Sequence, residues 1–242
     1  MLRRVAFPLS LVAAIAVAGL AAAALTAAPT GVTTPLQFSP NFPNGPYYSI
    51  VCSFSHRNND DPVVFPGQAG RSHNHTYIGN RSVDAGTTSA SLIGGRSSCD
   101  SESDSSAYWM PTLFVGQNDV VPFAAIVYYV NRSRQRIAAP PKGLVMIAGN
   151  AEARSRQPKG IVAWSCGLDS ADHKQHLKYA FQGLCPASHP VAMPQIILIV
   201  LYPPVPLGSQ VASGRLGAHA DFMNGWDQAE LERLVAERSI RR

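Results

Sequence analysis

The stretch "GRSHNHTYIGN" (70–80) places His73 and His75 two residues apart. On a strand, residues i and i+2 point to the same side, so the two imidazoles can converge on one ligand. "HADF" repeats the spacing with His219 and Asp221, an imidazole and a carboxylate on one face. "DSADHKQH" sets Asp172 beside His173, with His176 one turn further on if the segment is helical. "CPASHPV" holds His189 shortly after Cys185, with a proline on either side.

Two chemistries suit these residue types. Imidazoles with a carboxylate are ligands of zinc, copper or iron, and His73, His75, His173 and His219 are the candidate set for a divalent transition metal. Alternatively, Asp172 and Asp221 act as an acid and base pair, helped by His73 and His219, as in sugar hydrolysis. His75, His176 and His189 would then contact substrate, and Tyr108 and Trp226 would stack on sugar rings. Trp226 follows Gly225 in a loop-like "NGWDQ", whereas Trp164 sits in an apolar run. Against both readings stands the ordinary role of a loop histidine, a hydrogen bond to nearby main chain. Ser72 lies beside His73, but no G-x-S-x-G elbow exists, which argues against a serine hydrolase.

The elements that must position these residues read as strands. "YWMPTLFV" (108–115), "PFAAIVYYV" (122–130), "GLVMIAG" (143–149), "GIVAWSC" (160–166) and "PQIILIVLYP" (194–203) are short, apolar and bounded by turn residues. "IILIVLY" is apolar on both faces and is therefore expected mid-core, away from any sheet edge. Pro111 and Pro194 suit strand starts, bulges or edge strands. One segment reads as helix: Asp227 and Glu230 form a D-x-x-E cap ahead of the stripe Leu231, Leu234, Val235. The expectation is a mainly β protein, a single sandwich-like domain over 47–242 with long loops and a C-terminal α-helix.

The N-terminus reads as an export signal: Arg3 and Arg4, an apolar alanine-rich run, then small residues up to about position 28. Uncleaved, the run is long enough to anchor the chain in a membrane. Residues 29–46, rich in Pro, Thr and Gly, read as a tether. Four cysteines behind such a signal favour two disulfides, and the pairs Cys52–Cys99 and Cys166–Cys185 each bracket a histidine-bearing loop. The net charge of +5 falls by two, to +3, once Arg3 and Arg4 are removed, and the basic residues form no dense block. Nucleic acid is excluded as a partner on that ground. A secreted monomer is expected. Sequons occur at Asn74, Asn80 and Asn131.

Taken in order, "DDPVVFPGQAGRSHNHTYIGN", "SAYWMPTL", "LVMIAGNAEAR", "LDSADHKQHLKYA", "CPASHPVAMPQI" and "HADFMNGWDQ" closely resemble the secreted fungal and bacterial family catalogued as domain of unknown function nineteen-ninety-six. The resemblance spans most of residues 50–235 and brings no activity with it. It implies an extracellular protein and tilts the partner towards polysaccharide or cell-wall glycan, because members are sometimes joined to carbohydrate-binding modules. The family's motif histidines match His73, His75, His173, His176, His189 and His219, with Asp172 and Asp221 beside them. One departure stands out. Typical members carry a longer segment, often with Cys-Trp-Asp-Gly, where "WSCG" here runs straight into "LDSADH".

Overall fold

A computed structural model of the chain describes residues 46–157, 166–167, 177–178, 182 and 184–238, with only the backbone described for 166–167 and 177–178. The expected export signal and nearly all of the expected tether lie outside the described residues. No helix among the described residues is long and apolar enough to cross a membrane.

The chain is mainly β, as its punctuated apolar runs predict. In order, the strands are β1 (Tyr47–Cys52), β2 (Phe54–Asn58), β3 (His75–Gly79), β4 (Ala107–Pro111), β5 (Leu113–Val115), β6 (Asn118–Asp119), β7 (Ala124–Val130), β8 (Val145–Gly149), β9 (Cys166–Gly167), β10 (Leu177–Lys178), β11 (Val191–Ala192), β12 (Gln195–Leu201), β13 (Gln210–Val211) and β14 (His219–Met223). A short α1 (Ser89–Leu92) follows β3 and α2 (Gln228–Arg238) closes the fold. An antiparallel five-stranded sheet runs β2-β3-β4-β14-β8, a three-stranded one runs β1-β7-β12, and two smaller sheets run β13-β5-β6 and β10-β9-β11.

Alternation along the strands explains how the two larger sheets pack. Ile78, Tyr108, Met110, Met146 and Phe222 face inward from the five-stranded sheet and meet Tyr48, Ile50, Val127, Tyr129 and Ile196 from the three-stranded one. Leu231 and Val235 of α2 join this core. The expected cap is made: Asp227 Oδ1 accepts the Glu230 N–H at 2.9 Å. The other face of the five-stranded sheet carries Tyr77, Ala107, Trp109 and Met223, covered by Val63, Val83 and Leu92 from the long β3–β4 and β2–β3 connections.

Two expectations are corrected. Among the described residues, β12 is an edge strand and β7 is central, with all seven β7 residues buried. "IILIVLY" is apolar on both faces because both faces of the small sheet are packed: Ile197, Ile199 and Leu201 lie against Ile126, Tyr128 and Val130 on the side away from the main core. The helix α1 escapes a periodicity argument, since it is a single turn held by a Thr88/Ser91 capping box with one buried apolar residue.

The core is not purely apolar. Trp226 Nε1–H donates to Tyr129 Oη (2.8 Å), the Tyr129 and Tyr108 hydroxyls share a hydrogen bond (2.8 Å), and Tyr108 donates to Asp104 Oδ2 (2.8 Å). Asp104 Oδ1 accepts the Ser106 N–H (3.0 Å). Burial raises the Asp104 carboxyl to about 6, and these hydrogen bonds oppose a larger rise. The expected Cys52–Cys99 disulfide is formed and closes a 47-residue loop around α1 and β3. In the chain-entropy picture such closure contributes about 4 kcal/mol through the unfolded state. Cys185 is also disulfide-bonded, while the side chain of Cys166 lies outside the described residues.

Candidate metal centre

Register assembles the site. On the outer face of the five-stranded sheet, β3–β4 pairing sets His75 opposite Pro111 and Tyr77 opposite Trp109. On the far side of β4, Asp221 of β14 is opposite the same Trp109. Two residues further along that register, His219 comes level with Pro111. His75 and His219 therefore come to either side of Pro111. Their Nε2 atoms are 3.3 Å apart although the residues are 144 positions apart in sequence.

His73 comes from the loop before β3. Its ring centroid lies 4.3 Å from that of His75 and 5.0 Å from that of His219. One nitrogen from each of the three histidines, taken together, lies within 4.8 Å of the others. The incoming loop is fixed by carboxylates. Asp60 accepts the N–H groups of Gly70 (2.7 Å) and Ala85 (3.1 Å). Asp61 Oδ1 accepts those of Val63 (3.0 Å) and Val64 (2.9 Å). Asp61, His75 and Asp221 form a second such group, also within 4.8 Å.

Main-chain carbonyls decide the tautomers. His75 Nδ1–H donates to Asp60 O (2.9 Å), and His219 Nδ1–H donates to Gly217 O (2.7 Å). A carbonyl can only accept, so in each neutral ring the proton is on Nδ1 and Nε2 carries a bare lone pair. Two lone pairs then face each other at 3.3 Å. Asp221 adds more of the same: its Oδ2 is 3.6 Å from His219 Nε2, beyond hydrogen-bond reach, and both carboxylate oxygens are buried without a hydrogen-bond partner. His73 Nε2 is likewise buried and unpartnered.

Protons do not relieve the crowding of the ring nitrogens near neutral pH. Burial lowers His73 to about 4, helped by the neighbouring His75 and His219, and lowers His75 to about 4. Burial also lowers His219. The Asp221 carboxyl is pushed well above the usual carboxylate range, first by burial and then by Asp61. The ring nitrogens are therefore rich in electron pairs and poor in hydrogens, whereas burial favours the protonated form of the Asp221 carboxyl beside them.

Of the residues expected from sequence, His73, His75, His219 and Asp221 come together. Asp172, His173 and His176 lie outside the described residues. His189 is buried, meets Ser188 Oγ at 3.1 Å and does not join the cluster. The stacking role for Tyr108 and Trp226 is corrected: each is 1% exposed and held in the core network, leaving no ring face for a sugar. Asp60 and Asp61 were not singled out by sequence reasoning. Their signal is the acidic pair directly before Pro62, a turn-forming arrangement whose carboxylates bind loop N–H groups.

A family model described as Domain of unknown function (DUF1996) matches residues 61–167 and 161–226. The chain belongs to that family. All the cluster residues of this DUF1996 member, from Asp61 to Asp221, fall within the matched span. The two matched pieces overlap at 161–167, immediately before Leu168. No curated protein and no solved structure matches the chain.

Proposed function

We propose that this chain is an exported protein that binds one divalent transition-metal ion through His73, His75 and His219, with Asp221 as the carboxylate ligand. The observation that carries this reading is the pair of deprotonated Nε2 atoms 3.3 Å apart. Two nitrogens about 2.0–2.1 Å from a tetrahedral ion stand about 3.3–3.4 Å from each other, so the spacing suits a shared cation. The carbonyl partners on Nδ1 are the outer hydrogen bonds that metal-ligating histidines usually make. Three imidazoles and a carboxylate suit zinc, copper or iron, and a bound ion would supply Lewis-acid or, with copper or iron, redox chemistry.

The three-histidine group and the Asp61–His75–Asp221 group describe one centre. His75 belongs to both, its Nδ1 is committed to Asp60, and Nε2 has a single lone pair to give. Export is supported by the N-terminal sequence pattern and by the Cys52–Cys99 disulfide. Glycan hydrolysis has less behind it, because the two proposed stacking aromatics are interior and the metal ligands account for Asp221.

The test is elemental analysis of protein purified without a histidine tag and reconstituted with zinc, copper or ferrous iron. One equivalent in the wild type, lost in His75→Gln and His219→Gln, is the expected result. A wild type that retains none of the three metals would overturn the proposal.

A further inference from the structure

His219 opens β14 directly after the loop 212–218, so its aim depends on how that loop is held. Gly149, its partner across β8 and β14, has φ +96°, and a Cβ there would fall 2.6 Å from Ala218 O and 2.9 Å from His219 Cα. Gly217 O accepts both His219 Nδ1–H (2.7 Å) and the Ser213 hydroxyl (2.6 Å). The remaining contact comes from far away in sequence. Gln157 Nε2 donates to Leu216 O (2.6 Å) and Ala218 O (2.9 Å), the carbonyls on either side of Gly217. Its Oε1 accepts the Asn150 N–H (2.8 Å), which ties the same side chain to the turn after β8.

We infer that Gln157 is a positioning residue for His219: by clamping the carbonyls of Leu216 and Ala218, its amide fixes the Gly217 carbonyl that orients the imidazole. This rests on the metal reading above. Gln157 touches no ligand atom itself. It acts through the peptide planes at 216–218, because rotation of those planes would move the acceptor of Nδ1–H and swing Nε2 away from its partners. An ion is sensitive to such a swing, since ligand distances must hold to about 0.2 Å. This one side chain joins the turn after β8 to the loop that delivers a ligand.

Cobalt(II) provides a test whose readout a merely structural role would not move, because its visible absorption reports ligand geometry. The full chain is titrated with Co²⁺ as wild type, as Gln157→Met, which keeps the length and loses the amide, and as Gln157→Ala. Both variants should bind about tenfold more weakly, the usual effect of losing an outer-sphere partner. Their visible spectra should shift, while the metal-free melting temperature stays close to that of the wild type. Wild-type affinity with a superimposable spectrum would overturn the inference. So would weaker binding that merely follows a loss of metal-free stability with the spectrum unchanged. A wild type that takes up no Co²⁺ would instead remove the metal reading itself.

Discussion

Strand β4 separates two buried polar clusters, and they are built on opposite principles. On the inner face, Trp226, Tyr129 and Tyr108 pass hydrogen bonds in one direction to Asp104, and each hydroxyl both donates and accepts. On the outer face, the ring nitrogens of His73, His75 and His219 gather beside an Asp221 carboxyl that has no hydrogen-bond partner. The inner cluster is complete as folded. The outer one leaves His73 Nε2 and both Asp221 oxygens without a partner. Burial alone therefore does not mark a functional group; a buried polar group without a partner is the one that calls for an explanation.

The largest expected effect breaks the comparison at the outer cluster. Zinc or copper at a thousand times its dissociation constant should stabilise the chain by about 4 kcal/mol in chemical denaturation. His75→Gln should abolish that increment. Tyr129→Phe, on the inner face, should leave it intact.

Next come the two carboxylates compared without metal. Asp104→Asn places an amide against the Tyr108 hydroxyl and the Ser106 N–H, and should destabilise the fold by about 1–3 kcal/mol. Asp221→Asn removes a buried carboxylate that has no donor, so the metal-free protein should be unchanged or more stable. Thermal melts in chelator read both. A loss at Asp221 as large as that at Asp104 would erase the distinction drawn between the clusters.

The smallest effect is in the pH dependence. His73 falls from its ordinary 6.5 to about 4 on folding, so between those values the unfolded chain holds the proton and the native chain does not. Metal-free stability should consequently decrease as pH falls from about 6.5 to about 4, and the His73 contribution to that slope ends below 4. In His73→Gln the slope should flatten by at most about 1.4 kcal/mol per pH unit, less to the extent that solvent screens the half-buried ring. An identical slope in both proteins would show that His73 is already protonated in the native state.

Much of the fold was legible because local pattern fixed it. Turn-bounded apolar runs became β4, β7, β8 and β12, and Asp227 caps α2 as its spacing required. The site was half legible. Period-two spacing put His73 and His75, and separately His219 and Asp221, in motifs that could share a ligand, but only the order β3-β4-β14 brings the motifs together. Asp61 and Gln157 were illegible because their roles run through main-chain groups distant in sequence. Tyr108 and Trp226 misled because an aromatic beside polar residues reads the same whether it meets a ligand or, as here, a buried tyrosine and aspartate.

Asn80 carries a consequence for how the protein can be made. Its side chain is fully buried, with Nδ2 donating to Leu92 O (3.3 Å) and Ser105 O (3.1 Å) and Oδ1 accepting from Ser82. The sequon at that position is thus usable only before the chain collapses. An oligosaccharide transferred to Nδ2 in a eukaryotic secretory pathway and this native packing are mutually exclusive. A bacterial periplasm, which oxidises Cys52 and Cys99 without adding that sugar, avoids the conflict.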